Sequence, residues 1–263
     1  MELYRIWALI IRNFIVNFRD FGRIIDFCYW PLLDIIVWGF TSTWIEQSNN
    51  NVSQVNLILL SGIVLWHVTF RANFEVSFNL LEELWSRNII NLFSTPLKIS
   101  EWITAVIMLG VTNGLLANIF GALMVWLLYK ISIFSVGLIL VPCILSLLFS
   151  GLAIGFFTAS LLIYWGQKVQ KLVWALGWFF APFSAVFYPL EILPKWICVF
   201  ARLLPMTYTF EGIRSYVTTG VIPFSYIITS ILLSSLYLTF AILFFNYMLN
   251  QSKIKGLARL ESD

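Results

Sequence analysis

The chain has 263 residues, 60% of them hydrophobic and 11% charged, with a formal net charge of +3 and a mean hydropathy of +0.88. That composition leaves too little polar surface to clothe a soluble domain and marks an integral membrane protein, and so small a charge argues against a nucleic-acid partner. The apolar runs approach the roughly 20 residues a helix needs to cross hydrocarbon and do not alternate over ten-residue strands, so an all-α, polytopic membrane protein is predicted rather than a barrel.

Residues 1–23 read as an amphipathic interfacial helix. At about 100° per residue, Arg5, Arg12, Arg19 and Arg23 share one arc with Asn13, Asn17 and Asp20 beside it, while Trp7, Ile10, Ile11, Phe14, Phe18 and Phe21 lie opposite. Aromatic burial and attraction of the arginines to anionic lipid would hold it parallel to the bilayer. No short apolar core with a small-residue cleavage site follows, so no removable signal peptide is predicted. Spans are predicted at 24–44 and 55–78, joined by a polar loop, EQSNNNVSQVN, that lacks lysine and arginine.

Residues 80–96 are the one long polar interruption on the basic side of the chain. Glu82, Glu83, Arg87 and Asn88 occupy polar positions at helical spacing, and Leu81, Leu84, Trp85, Ile89, Leu92 and Phe93 form an apolar stripe. Ser94-Thr95-Pro96 ends the helix, because proline disfavours helix at the residue before it. A passive surface helix carries mostly lysine or arginine on its polar face. Adjacent carboxylates with a single arginine favour docking against a partner protein over lying on the headgroups.

Further spans are predicted at 102–129, at 133–164 with Pro142 as a possible kink, at 172–188 and at 224–249. Residues 189–223, divided by Pro205 and too short or too polar to cross, read as a re-entrant segment of broken helices. Six crossings put both termini on one side. The interfacial helix, residues 80–98, the GQKVQK loop and the tail hold 11 of the 16 lysines and arginines; the opposite loops hold only Lys130, Lys195, Arg202 and Arg214, and Arg71 lies within a span. Termini and 80–96 are therefore placed in the cytoplasm and 189–223 outside it.

Asp34 lies about 15 Å into the first span, where an unpaired carboxylate costs roughly 2.5–3.5 kcal/mol on insertion scales. His67, Arg71 and Glu75 recur every four residues on one face of the second span. Asp34 can reach either His67 or Arg71, as a buried pair that fixes packing or as part of a pathway. Cys28, Cys143 and Cys198 sit in apolar surroundings without metal-ligand spacing. With one histidine and no nucleophile beside a base, neither a catalytic site nor a metal site is predicted.

The order of parts, together with FSAVFYPLEILPKW (183–196), LLPMTYTFEGIR (203–214), Ser61-Gly62 and Thr95-Pro96, resembles the membrane permease subunit of ABC type-2 exporters. The resemblance implies residence in the bacterial inner membrane and pairing with a second permease copy. It also implies two soluble ABC ATPase subunits, coupled through 80–96, that bind the ATP and magnesium, so that this chain binds no cofactor and is not itself an enzyme. The absence of a GxxxxGK[ST] phosphate loop agrees with that division of labour. The implied cargo is a lipid, a lipid-linked glycan or polysaccharide, or a hydrophobic drug. Pro189, Leu193, Pro194, Glu211 and Arg214 become candidates for an extracytoplasmic gate, or for a static plug. The alternative reading is an ion-coupled secondary transporter or channel using Asp34, His67 and Arg71.

Overall fold

A pattern of small residues four apart, overlooked in the reading of the spans, organises the bundle. In the computed structural model, which describes residues 2–48 and 55–257, every regular element is helical: α1 (Leu3–Arg19), α2 (Phe21–Ser48), α3 (Val55–Trp85), α4 (Ile89–Ser94), α5 (Ile99–Tyr129), α6 (Leu140–Trp165), α7 (Leu172–Phe179), α8 (Lys195–Ala201), α9 (Pro205–Thr219) and α10 (Phe224–Ile254). The middle of the polar loop after α2 and Arg259 of the basic tail lie outside the described residues. Among the described residues, five helical stretches are long and apolar enough to cross a membrane, those containing α2, α3, α5, α6 and α10.

The third helix is the axis, with most of its apolar length buried. Gly151 and Gly155 on α6 bring its backbone against α3. A Cβ on Gly151 would meet the Thr69 carbonyl at 2.3 Å, and one on Gly155 would meet Val76 at 2.8 Å and the Asn73 carbonyl at 2.9 Å. Gly110 and Gly114 form the same spacing on α5 against Ala72 and Val68. Small-xxx-small pairs are how helices pack closely where no hydrophobic force drives them together. At the far end, buried hydroxyls tie α6, α9 and α10: Ser230 Oγ donates to the Pro205 carbonyl at 2.8 Å and stands 2.6 Å from Thr209 Oγ1, with Ser146 bonded to Ser230.

Several predicted boundaries are corrected. The second span does not stop at 78: α3 runs unbroken through Trp85, and Leu80, Leu81 and Leu84 are fully buried. The helix predicted over 80–96 is divided into the last turn of α3, a turn in which Arg87 adopts φ 51°, and the six-residue α4. Pro142 does not kink its span. A 3₁₀ stretch, Ile133–Ile139, precedes α6, and Pro142 falls in the first turn of α6, where its missing N–H breaks no helical bond.

The predicted span 172–188 is not one helix. It is helical over Leu172–Phe179, continues as a 3₁₀ turn over Ala181–Phe183, and then breaks near Pro182 and Pro189. It nonetheless climbs α3: Trp174 stacks near Trp85 at 6.4 Å, Trp178 lies 5.3 Å from Phe70, and the Val186 carbonyl rests against Gly62. Gly62 and Trp85 are about 35 Å apart along the α3 axis at 1.5 Å per residue.

The helix predicted over residues 1–23 ends at Asp20, in extended conformation, so Phe21 and Arg23 belong to α2. It also packs on the protein, through one edge of its apolar side. Ile6 and Ile10 are buried against Ala105 and Leu109 of α5, leaving Trp7 and Ile11 on the outer face. Its arginines do not all point to lipid: Arg5 approaches Glu101 at 3.6 Å and Arg12 pairs with Glu83. Glu101 also accepts the backbone N–H groups of Glu2, at 2.7 Å, and Lys98, at 3.0 Å, which fastens the start of α1 to the start of α5.

Candidate functional site

Where α1 turns into α2, the two helices stand off from α3 and α5 and enclose a cavity of about 490 Å³, a volume typical of small-ligand sites. Its walls are largely phenyl rings and aliphatic side chains, among them Phe14, Phe27, Phe74, Phe78 and Phe120. The mouth opens sideways between α2 and α5, at Leu116, Ile119 and Leu123, which are 41%, 59% and 48% exposed. Those side chains would face hydrocarbon in a bilayer.

Into this apolar chamber the sequence places five charges: Arg23 and Asp26 from α2, and Arg71, Glu75 and Glu82 from α3. The α3 side chains at 71, 75, 79 and 82 share one face, so they form a polar track from the basic end of the bundle to about 21 Å along its axis. At the wide end Arg23 pairs with Glu82, lies 3.5 Å from Asp20, donates to Asn17 and stacks over Phe78 at 5.5 Å. Asn79 Nδ2 donates to Asn13 Oδ1 at 2.6 Å. At the deep end Arg71 Nη2 donates to the Asp26 carbonyl at 2.7 Å, and its guanidinium sits over Phe27 at 4.6 Å and Phe74 at 5.9 Å. The Arg71 side chain is buried, yet its Nε has no partner; the amide of the buried Asn113 faces the Glu75 carboxylate from α5.

The other predicted residues fall elsewhere. Asp34 meets His67, not Arg71: Oδ2 and Nε2 are 3.1 Å apart, without the alignment of a hydrogen bond. His67 packs edge-on to Trp178 at 6.2 Å. A double-mutant cycle of Asp34→Asn and His67→Gln, read as unfolding midpoints in detergent, is expected to give a coupling of about 0.5–1.5 kcal/mol. Asp34→Asn with Arg71→Gln should be additive within about 0.5 kcal/mol; the reverse pattern would place Asp34 against Arg71.

Glu82 and Glu83, predicted to face a partner, are instead taken up within the chain, by Arg23 and Arg12. Glu83 is 4% exposed and also accepts from Asn88 Nδ2 at 2.6 Å. Arg87 remains exposed on the turn beneath α4. At the far end Glu211 Oε1 accepts the Leu190 N–H at 2.8 Å and Arg214 Nη1 at 2.6 Å, and Arg214 Nη2 donates to the Ala185 carbonyl at 3.0 Å. Burial pulls the Arg214 guanidinium below its ordinary value, against the opposing pull of Glu211. Pro189 precedes the 3₁₀ turn Leu190–Ile192, Pro194 starts α8, and the Leu193 carbonyl accepts from Cys198 Sγ at 3.3 Å.

Sequence reasoning put Asn13 on the polar arc of the first helix and gave Asn79 and Asn113 no role. Asn13, Asn79 and Asn113 are all buried at or near the cavity; the presence of Asn113 in the middle of an apolar span was the available signal, because such a side chain needs a protein or ligand partner. Among the described residues, no group of three histidine, cysteine or acidic side chains is placed to hold a metal. No protein-family model matches the chain, and no curated protein matches it.

Proposed function

We propose that this chain is the membrane permease subunit of an ATP-driven ABC type-2 exporter that moves an amphiphile, a lipid or lipid-linked glycan or a hydrophobic drug, out of the cytoplasm. The observation that carries the reading is the cavity, whose apolar walls, internal charges and sideways mouth suit a molecule with an oily body and a polar group. On this reading the broken stretch 172–188 completes a sixth crossing, since its contacts along α3 cover about 35 Å against a hydrocarbon core of about 30 Å. Both termini and residues 86–98 then lie on the lysine- and arginine-rich side, the cytoplasm.

The ATPase docks on the turn and α4 rather than on the acidic pair. Ser86, Arg87 and Asn91 are exposed there, whereas Glu82 and Glu83 are occupied by Arg23 and Arg12. A second copy packs on the bare apolar faces of α2 or α10, each with only 17% of its most apolar window buried. The ion-coupled alternative draws less support: Asp34 with His67 and Arg71 with the Asp26 carbonyl form two separate contacts and not one path.

Co-expression with a soluble phosphate-loop ATPase encoded beside the permease tests the docking. Arg87→Glu with Asn91→Trp should cut co-purification at least about tenfold while leaving the permease monodisperse, the loss expected for removing a central interface contact. Undiminished co-purification of that variant would overturn the docking face.

A further inference from the structure

Arg71 Nε, a buried donor without an acceptor, lines the cavity from α3, and beside it Asn113 of α5 turns its amide toward the Glu75 carboxylate. Buried donors of this kind are rare in native proteins, and each left unmade costs the desolvation of its group. An acceptor-rich group in the cavity would answer Arg71 Nε, and phosphate oxygens match a guanidinium especially well. Glu75 stands one turn from Arg71 on the same face of α3, about 5–6 Å away by helix geometry. A carboxylate there repels a simple anion and calls for a donor on the ligand a short distance from its phosphate. Leu116 and Ile119 at the mouth are exposed and apolar, so in a bilayer this opening would face hydrocarbon.

We propose that this cavity holds the headgroup of a phospholipid bearing a primary amine, with its phosphate against Arg71 and Asn113, its ammonium against Glu75, and its acyl chains leaving between α2 and α5. A phosphoethanolamine headgroup has this pattern, an anionic phosphate joined by two carbons to a cationic amine. The phenyl walls contributed by Phe27 and Phe74 shield the pairings from water, which strengthens them. The proposal deepens the exporter reading, on which it rests for the direction of movement. Binding itself needs no ATPase, so the two can fail separately.

The test is native mass spectrometry of the full chain, purified in detergent and offered equimolar phosphatidylethanolamine and phosphatidylglycerol with identical acyl chains. The wild type should retain the amine lipid about tenfold over the glycerol lipid, the margin expected of one hydrogen bond between charged groups. Glu75→Gln should level the two, since removal of the carboxylate withdraws both the attraction for the amine and the repulsion of the anion. Arg71→Gln should lower retention of both. Should Arg71→Gln fail to fold, Asn113→Leu serves: it removes the second donor proposed for the phosphate, so retention of the amine lipid should drop several-fold while the protein still elutes as a monodisperse peak. Equal retention of the two lipids by the wild type, or an unchanged preference in Glu75→Gln, would overturn the proposal. Displacement of bound lipid by free phosphoethanolamine as readily as by phosphatidylethanolamine vesicles would assign the site to a soluble ligand and overturn it too.

Discussion

Gly151→Leu is expected to abolish the folded protein, measured as loss of the monodisperse peak after solubilisation and of any cooperative melting transition. The position faces backbone: even a single Cβ there would approach the Thr69 carbonyl to 2.3 Å and the Ala72 Cβ to 2.8 Å. Neither atom can rotate away, because both belong to the central helix. Overpacking of a close seam costs about 1–3 kcal/mol for extra methylenes and more when backbone must move, whereas the gain in helix propensity on replacing glycine is about 1 kcal/mol. Gly151→Ala should already lower the melting midpoint. Gly114→Ala makes a useful contrast, since its Cβ would press first on Leu148 Cδ2 at 2.8 Å, the free end of a flexible side chain. A folded, normally melting Gly151→Leu would mean that α3 and α6 do not pack through this glycine pair.

Arg214→Gln should loosen the whole far-end segment. The Arg214 and Glu211 side chains are 14% and 20% exposed, and together they hold the Leu190 N–H and the Ala185 carbonyl. Ala185 adopts φ 58°, a left-handed conformation that a non-glycine residue keeps only when its surroundings impose it. Loss of the guanidinium leaves Glu211 without its cation and Ala185 without its donor. A fully buried pair broken this way costs about 3–5 kcal/mol, and partial exposure reduces that here to roughly 2–3 kcal/mol. Proteolysis between Phe183 and Leu193 should accelerate by one to two orders of magnitude in Arg214→Gln if opening precedes cleavage. Unchanged cleavage would mean that the segment is held by its apolar packing alone.

Much of this architecture can be read from one-dimensional pattern. Long apolar runs mark the helices, and the spacing of Glu211 and Arg214 puts them on one turn. What the pattern cannot carry is neutralisation by distant partners. Glu82 and Glu83 read as a partner-docking face because arginines so far away in the chain are invisible to a local window; once Arg23 and Arg12 meet them, nothing prevents α3 from running through Trp85. The stretch 172–188 fails as a helix for the converse reason. It is apolar, but Pro182 and Pro189 break it, and packing of Trp174 and Trp178 lays along α3 in pieces what hydropathy reads as one rod. The glycine pairs and Asn113 were visible as letters, and only their facing partners give them meaning.

The most direct test is translocation. The protein, reconstituted with the proposed phosphate-loop ATPase partner in vesicles containing a headgroup-labelled aminophospholipid, should move label from the ATPase-bearing leaflet to the opposite one only with ATP and magnesium. A Gly151→Leu preparation, unfolded on this account, should move none. Movement that ignores ATP but follows an imposed proton or sodium gradient would contradict the exporter reading and return Asp34 and His67 to the centre of the mechanism.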